Sequence, residues 1–102
     1  MHLFFFQACD GGLPLPAYPD RAARGLERWL EAVGPYIDVM LFGDDLGGQN
    51  GPLMSPAMYR DYFKPWHSVL WHRAKELAPE VNVPLHSCGG IEPLLDDLID
   101  AG

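Results

Sequence analysis

The sequence predicts an α/β fold in which parallel strands alternate with helices. Short apolar runs alternate along the chain with segments of helical periodicity, and this order implies that the strands pair in parallel through right-handed crossovers. Polar loops follow both apolar runs, at the strand ends where parallel folds place their sites. Two predicted strands cannot form a covered sheet by themselves, so we expect the chain to be part of a larger barrel or sheet.

Three segments carry apolar residues at the spacing of one helical face: residues 19–33, 55–78 and 91–99. An irregular stretch rich in proline and glycine, residues 10–19, precedes the first. The second begins with Ser55 as its N-cap and Pro56 in the first helical position. Pro65 lies inside this segment and is predicted to kink or divide the helix. The third is expected to end at Gly102.

Two apolar runs, residues 37–42 and 81–85, are predicted to be strands, and their composition suits burial on both faces. The first opens into a polar, glycine-rich loop, residues 43–52, and the second into residues 86–90. Because parallel strands end at the same edge of a sheet, both loops are expected at one edge.

Charge and hydropathy exclude several classes of function. The chain has 14 acidic and 7 basic residues, a net charge of −7 and no basic cluster, so we expect no nucleic acid partner. No apolar stretch approaches the ~20 residues that cross a bilayer, so we expect no membrane association. Two cysteines do not make a disulfide framework, and reduced thiols favour a cytoplasmic location.

A histidine and a cysteine lie one residue apart after the second predicted strand. On an extended segment His86 and Cys88 point to the same side, and imidazole and thiolate are the ligands that zinc prefers. The alternatives are a structural cysteine and a histidine that only caps the strand end. A catalytic zinc needs a third protein ligand, and the other cysteine, Cys9, is better interpreted as a free thiol.

Polar side chains in the first loop are candidates for catalysis or binding. Asp44 and Asp45 are candidates for a substrate anchor or a general acid and base, because paired carboxylates can divide their pKa values. The alternative is a solvated turn in which both side chains accept hydrogen bonds from loop amides. Gln49 is the candidate substrate-binding residue of this loop. His67 is interpreted as a surface or packing residue, because His72 does not share its helix face.

Four motifs together resemble the uroporphyrinogen decarboxylase superfamily: GDDLGGQNGPLMSP at residues 43–56, MYR at 58–60, FKP at 63–65 and LHSCG at 85–89. They are most similar to the branch related to methylcobalamin:coenzyme M methyltransferases. The resemblance covers about residues 30–102.

The resemblance implies an incomplete (β/α)8 barrel, or TIM barrel, of which residues 1–102 would form the middle to later part. It also implies a zinc site in which His86 and Cys88 are the first two ligands, while the third, a cysteine, would lie beyond Gly102. In that branch the zinc activates a thiol for attack on a methyl group carried by a corrinoid. The implied partners are therefore a small thiol substrate and a corrinoid protein.

Two alternatives stay open. Uroporphyrinogen decarboxylases of porphyrin biosynthesis act on a tetrapyrrole without a metal, and the early aspartate and the arginines that bind this substrate are not visible in the chain. The second alternative is a non-catalytic barrel remnant that is stable only when paired with another chain.

Overall fold

The computed structural model describes residues 3–6 and 18–102, with residues 3–6 and 18–20 described as backbone only. Helices and short strands alternate along these ranges. The elements in chain order are β1 (Leu3–Phe6), α1 (Tyr18–Val33), β2 (Val39–Gly43), β3 (Gly47–Gly48), β4 (Gly51–Pro52), α2 (Pro56–Met58), a π-helical turn (Tyr59–Phe63), α3 (Lys64–Leu77), β5 (Leu85–His86) and α4 (Leu95–Ala101).

Within the described ranges, three strands form a parallel sheet in the order β1-β2-β5. Residues 3–6 pair with residues 39–42, and at the other edge of β2 Gly43 lies opposite His86. The helices α1 and α3 lie between successive strands of this sheet along the chain and pack against each other. The predicted α/β class is therefore confirmed as a small parallel sheet with helices, and the larger barrel stays a prediction.

The strand β1 was not predicted from the sequence. Its four apolar residues form too short a run for periodicity to separate a strand from other structures. Pairing with β2 along its whole length supplies the hydrogen-bond partners that define it. A contact between segments far apart in the chain therefore decides this element.

The strand predicted at residues 81–85 lies later in the chain than expected. Regular strand is confined to Leu85–His86, with one isolated bridge at Asn82 before it. Pro84 interrupts the ladder because it has no backbone N–H to donate. Its carbonyl still accepts a hydrogen bond from the Phe42 amide at 3.0 Å, so the segment runs beside β2 as predicted.

The strand β2 was predicted to be buried on both faces, and it is fully buried on one face only. Met40 and Phe42 are 0% and 3% exposed, whereas Val39 and Leu41, which alternate with them, are only half-buried. The buried pair belongs to one core cluster with residues of α1 and α3. The helices therefore cover this face of the strand more completely than the other.

The predicted helices are confirmed with changed boundaries. α1 ends at Val33 as expected, and the Ser55 hydroxyl accepts a hydrogen bond from the Met58 amide at 3.2 Å, which caps α2. Pro65 divides the second helix as predicted: a π-helical turn precedes it, and it lies in the first turn of α3, where its missing N–H is tolerated. Among the described residues, no helix is both long and apolar enough to cross a bilayer.

The third helix begins with a 3-10 turn, Glu92–Leu94, and its α-helical part extends to Ala101. Buried side chains from α1, β2, the π-helical turn, α3 and α4, and from the segments that join them, share one cluster. Its members are Leu26, Leu30, Met40, Phe42, Leu46, Tyr59, Leu70, Trp71, Ala74, Ala78, Val81, Leu94, Leu98 and Ala101.

Asp97 joins α4 to the π-helical turn and to the first residue of α3. Its carboxylate accepts hydrogen bonds from Arg60 at 2.8 Å and from Lys64 at 2.9 Å. These cations, Lys64 first, hold the pKa of Asp97 below its ordinary value, although partial burial opposes them. A carboxyl with a lowered pKa contributes stability while it is ionised, and this contribution is lost as the pH falls through its folded-state pKa.

We therefore expect Asp97→Asn to lower the free energy of unfolding at pH 7. The difference from the wild type should shrink as the pH falls below about 4, where the carboxyl becomes protonated first in the unfolded and then in the folded state. Urea unfolding at several pH values measures the difference in unfolding free energy between the variant and the wild type. Asp96→Asn is the control, since Asp96 is exposed in the same helix. Equal losses for the two variants at pH 7 would contradict the assignment.

Candidate metal centre

The two polar loops meet at one edge of the sheet, as predicted. Asp44 follows β2 directly and His86 ends β5, and these strands are parallel neighbours. The Asp44 amide donates a hydrogen bond to the His86 carbonyl at 3.0 Å. The loop that carries the two aspartates is therefore attached to the loop that carries the predicted metal ligands.

Three side chains with metal-ligating atoms lie together at this edge: Asp45, His86 and Cys88. Their candidate ligand atoms all lie within 4.8 Å of one another, and Cys88 Sγ is 3.4 Å from His86 Nε2. Asp45 Oδ1 accepts a hydrogen bond from the Cys88 amide at 3.1 Å. All three residues are exposed, so a small substrate has access to them. We call this group the metal triad.

The local electrostatics of the metal triad disfavour a free thiolate. Asp45 raises the pKa of the Cys88 thiol, through hydrogen bonding and through its negative charge, and partial desolvation adds to this effect. Cys88 is therefore protonated at neutral pH when no cation is present, and it is not a nucleophile activated by the protein alone. A bound divalent cation would supply the positive charge that reverses this balance.

A glycine hairpin supports the loop that carries Cys88. β3 and β4 pair in antiparallel orientation, and the Gly90 amide donates to the Gly48 carbonyl at 2.9 Å. A Cβ atom added at Gly47 would lie 2.4 Å from the carbonyl oxygen of Cys88, and one at Gly89 would lie 2.5 Å from the carbonyl carbon of Gly47. Only glycines allow the two backbones to approach this closely.

Ser87 fixes the loop from the opposite side. Its hydroxyl accepts a hydrogen bond from the Leu46 amide at 2.9 Å, so the residue between the two metal-triad members holds the loop that follows Asp45. This role of Ser87 was not predicted from the sequence. Successive side chains of an extended segment point to opposite sides, so the sequence could have indicated that Ser87 points away from the side that His86 and Cys88 share.

The structure separates the two predicted catalytic aspartates. Asp45 belongs to the metal triad, but the carboxylate of Asp44 bonds through Oδ2 to His67 Nε2 at 2.8 Å. Asp45 also accepts a hydrogen bond from a loop amide, that of Cys88, as the alternative interpretation expected, whereas the Asp44 carboxylate bonds to a side chain of α3. Gln49 is exposed in the turn between β3 and β4. Cys9 lies outside the described residues.

His67 makes hydrogen bonds that were not predicted from the sequence. It is 4% exposed, and its two ring nitrogens bond to the Tyr59 hydroxyl at 2.9 Å and to Asp44 at 2.8 Å. It also stacks on Trp71, with ring centroids 4.5 Å apart and an interplanar angle of 11°. The packing role that we expected is present, but a histidine that only packs does not need a carboxylate partner. No spacing rule predicts that partner, because Asp44 lies on another element.

Comparison with known proteins returned no match: no family model matches the chain, and neither a curated protein nor a solved structure matches it at a significant level. The resemblance to the uroporphyrinogen decarboxylase superfamily therefore rests on the motifs at residues 43–65 and 85–89 alone.

Proposed function

We propose that the chain belongs to a zinc-dependent enzyme of the uroporphyrinogen decarboxylase superfamily, which methylates a small thiol with a methyl group supplied by a corrinoid partner. Its sheet and helices would form part of a (β/α)8 barrel in a cytoplasmic protein. The observation that carries this proposal is the separation of 3.4 Å between Cys88 Sγ and His86 Nε2.

The metal triad fits the geometry of zinc. Ligand atoms at roughly 2.0–2.3 Å from a tetrahedral zinc ion lie roughly 3.5 Å from one another. The Cys88–His86 pair meets this spacing, and a carboxylate oxygen of Asp45 lies within 4.8 Å of both atoms, so that the metal triad offers sulfur, nitrogen and oxygen donors. In this proposal Asp45 takes the third position, for which the resemblance implies a downstream cysteine. Three protein ligands leave a fourth position open, as in catalytic zinc sites.

The chain's own residues would bind and orient the reactants. His86 and Cys88 would hold the metal, which would keep a bound thiol deprotonated at neutral pH, and Asp45 would balance its charge. The exposed position of the metal triad leaves room for the acceptor thiol and for a methyl donor on another protein. The corrinoid would supply the methyl group to the acceptor sulfur and would keep the electron pair of its carbon–cobalt bond.

Zinc titration of the purified chain is the direct test. We expect a single zinc ion per chain, measured by competition with a chromophoric chelator and by elemental analysis, since three donors already lie together. The zinc-loaded protein is then mixed with free methylcobalamin and a panel of small thiols. Methyl transfer should appear as loss of the methylcobalamin absorbance and formation of the methyl thioether, faster than with the metal-free protein.

Three outcomes would change the proposal. Absence of zinc binding would overturn the metal site. Zinc binding without methylation of any thiol would retain the site but remove the methyl-transfer activity and favour a non-catalytic remnant. Decarboxylation of uroporphyrinogen by a metal-free preparation would establish the tetrapyrrole enzyme in its place.

A further inference from the structure

Hydrogen bonds connect two buried side chains, Tyr59 and His67, to the half-buried Asp44 in the loop of the metal triad. Tyr59 is 0% exposed and His67 is 4% exposed, and the Tyr59 hydroxyl lies 2.9 Å from His67 Nδ1. His67 Nε2 lies 2.8 Å from Asp44 Oδ2. The residues come from the π-helical turn, from α3 and from the loop after β2. Burying a polar group costs free energy unless the group has a hydrogen-bond partner, and these two hydrogen bonds supply the partners of Tyr59 and His67.

The direction of the hydrogen bonds follows from the chemistry of the two ends. Burial, and then the negative charges of Asp97 and Asp44, raise the pKa of Tyr59, so its hydroxyl stays protonated and donates. The carboxylate of Asp44 can only accept, so His67 donates to it from Nε2, and Nδ1 is left to accept from the Tyr59 hydroxyl. Stacking on Trp71 fixes the plane of the imidazole ring. The carboxylate of Asp44 is thereby held in one orientation, toward α3.

The backbone of Asp44 connects the hydrogen-bonded residues Tyr59, His67 and Asp44 to the metal triad. Its amide donates to the His86 carbonyl at 3.0 Å, and the next residue, Asp45, accepts from the Cys88 amide at 3.1 Å. Release of the Asp44 side chain would let the loop change its backbone angles at the point where Asp45 must meet the other two ligands. The orientation of a ligand depends on such supporting contacts as well as on the ligand itself.

We propose that His67 is a positioning residue of the metal centre: by holding the carboxylate of Asp44, it fixes the loop so that Asp45 stays beside His86 and Cys88 as a third ligand. This inference rests on the proposed function, because it requires that the metal triad binds zinc.

Two substitutions of His67 separate its two hydrogen bonds. The amide of glutamine reaches the position of Nε2, so His67→Gln retains a donor to Asp44, whereas the shorter His67→Asn reaches the position of Nδ1 and retains the contact with Tyr59 alone. We expect His67→Gln to bind zinc nearly as tightly as the wild type. His67→Asn should bind zinc about 10–100-fold more weakly, the usual effect of losing a supporting partner of a ligand. Chelator competition measures both, with His72→Asn on the exposed part of α3 as the control.

A double-mutant cycle tests whether His67 acts through Asp45. Asp45→Asn should weaken zinc binding, and adding His67→Asn to it should cause little further loss, because the ligand that His67 positions is already impaired. A merely structural role would give additive losses and would weaken zinc binding in His67→Gln as well as in His67→Asn. The absorption spectrum of the Co(II)-substituted protein gives a second measure, since it reports the ligand set independently of folding.

The outcomes are distinct. If the wild type binds no zinc, the proposed function and this inference both fail. If the wild type binds zinc but His67→Asn binds it equally well, or if the losses in the cycle are additive, the positioning role is wrong and the zinc site stands.

Discussion

Replacing Cys88 by serine is expected to lower the zinc affinity of the chain by more than about 100-fold, beyond the usual effect of losing a supporting partner of a ligand. Serine has nearly the size of cysteine, but its hydroxyl is a poor zinc ligand. Because Cys88 is exposed, the loss of sulfur should leave the fold intact. Methyl transfer should fall together with bound zinc.

Elemental analysis and chelator competition measure the zinc, and circular dichroism with urea unfolding checks the fold. Ser68→Ala is a suitable control, because its hydroxyl contacts His72 on the exposed part of α3 and has no contact with the metal triad. Unchanged zinc content in Cys88→Ser would remove Cys88 from the ligand set. Loss of zinc together with loss of the folded state would show a structural cysteine, which was the alternative interpretation of this residue.

Replacing Gly89 by alanine is expected to cost about 1–3 kcal/mol of unfolding free energy, the range for forcing extra atoms into a packed site. Gly89 has φ of +74°, a region that L residues adopt with strain, and its added Cβ would lie 2.5 Å from the carbonyl carbon of Gly47. The hairpin and the Cys88 loop must then separate. Zinc affinity should fall as well, although all three ligands are retained.

Gly25→Ala is the matched control for this substitution. Gly25 lies inside α1, and a Cβ added there meets nothing within 4 Å. Alanine is the better helix former, so this variant should be more stable than the wild type by about 0.5–1 kcal/mol and should bind zinc equally well. Urea unfolding compares the three proteins. If Gly89→Ala is as stable as the wild type and binds zinc equally well, the close approach of the two backbones is not required for folding or for the metal site.

The helices were predictable because their signals are local. The Ser55 cap, the apolar periodicity of α1 and the division of the second helix at Pro65 depend on residues within a few positions of one another. The alternation of strands and helices likewise predicted parallel pairing. The strand boundaries were less predictable, since Pro84 shortens β5 and the partner of β1 lies on a distant segment.

The metal triad was predictable in part. His86 and Cys88 share one side of an extended segment, and this follows from the period of a strand. Asp45 was a candidate for catalysis, but its contact with Cys88 spans 43 residues of sequence. The grouping of an aspartate with the His-x-Cys pair required both strands to be in register.

The sequence by itself determined the α/β class, the position of the helices and the pairing of an imidazole with a thiol, because caps, periodicity and side-chain alternation act over short distances along the chain. The tertiary structure alone decided that Asp45 joins this pair, that Asp44 turns to the buried His67, and that Gly47 and Gly89 meet. These contacts depend on how strands and helices pack, and packing selects partners by shape and hydrogen-bond satisfaction rather than by spacing in the sequence.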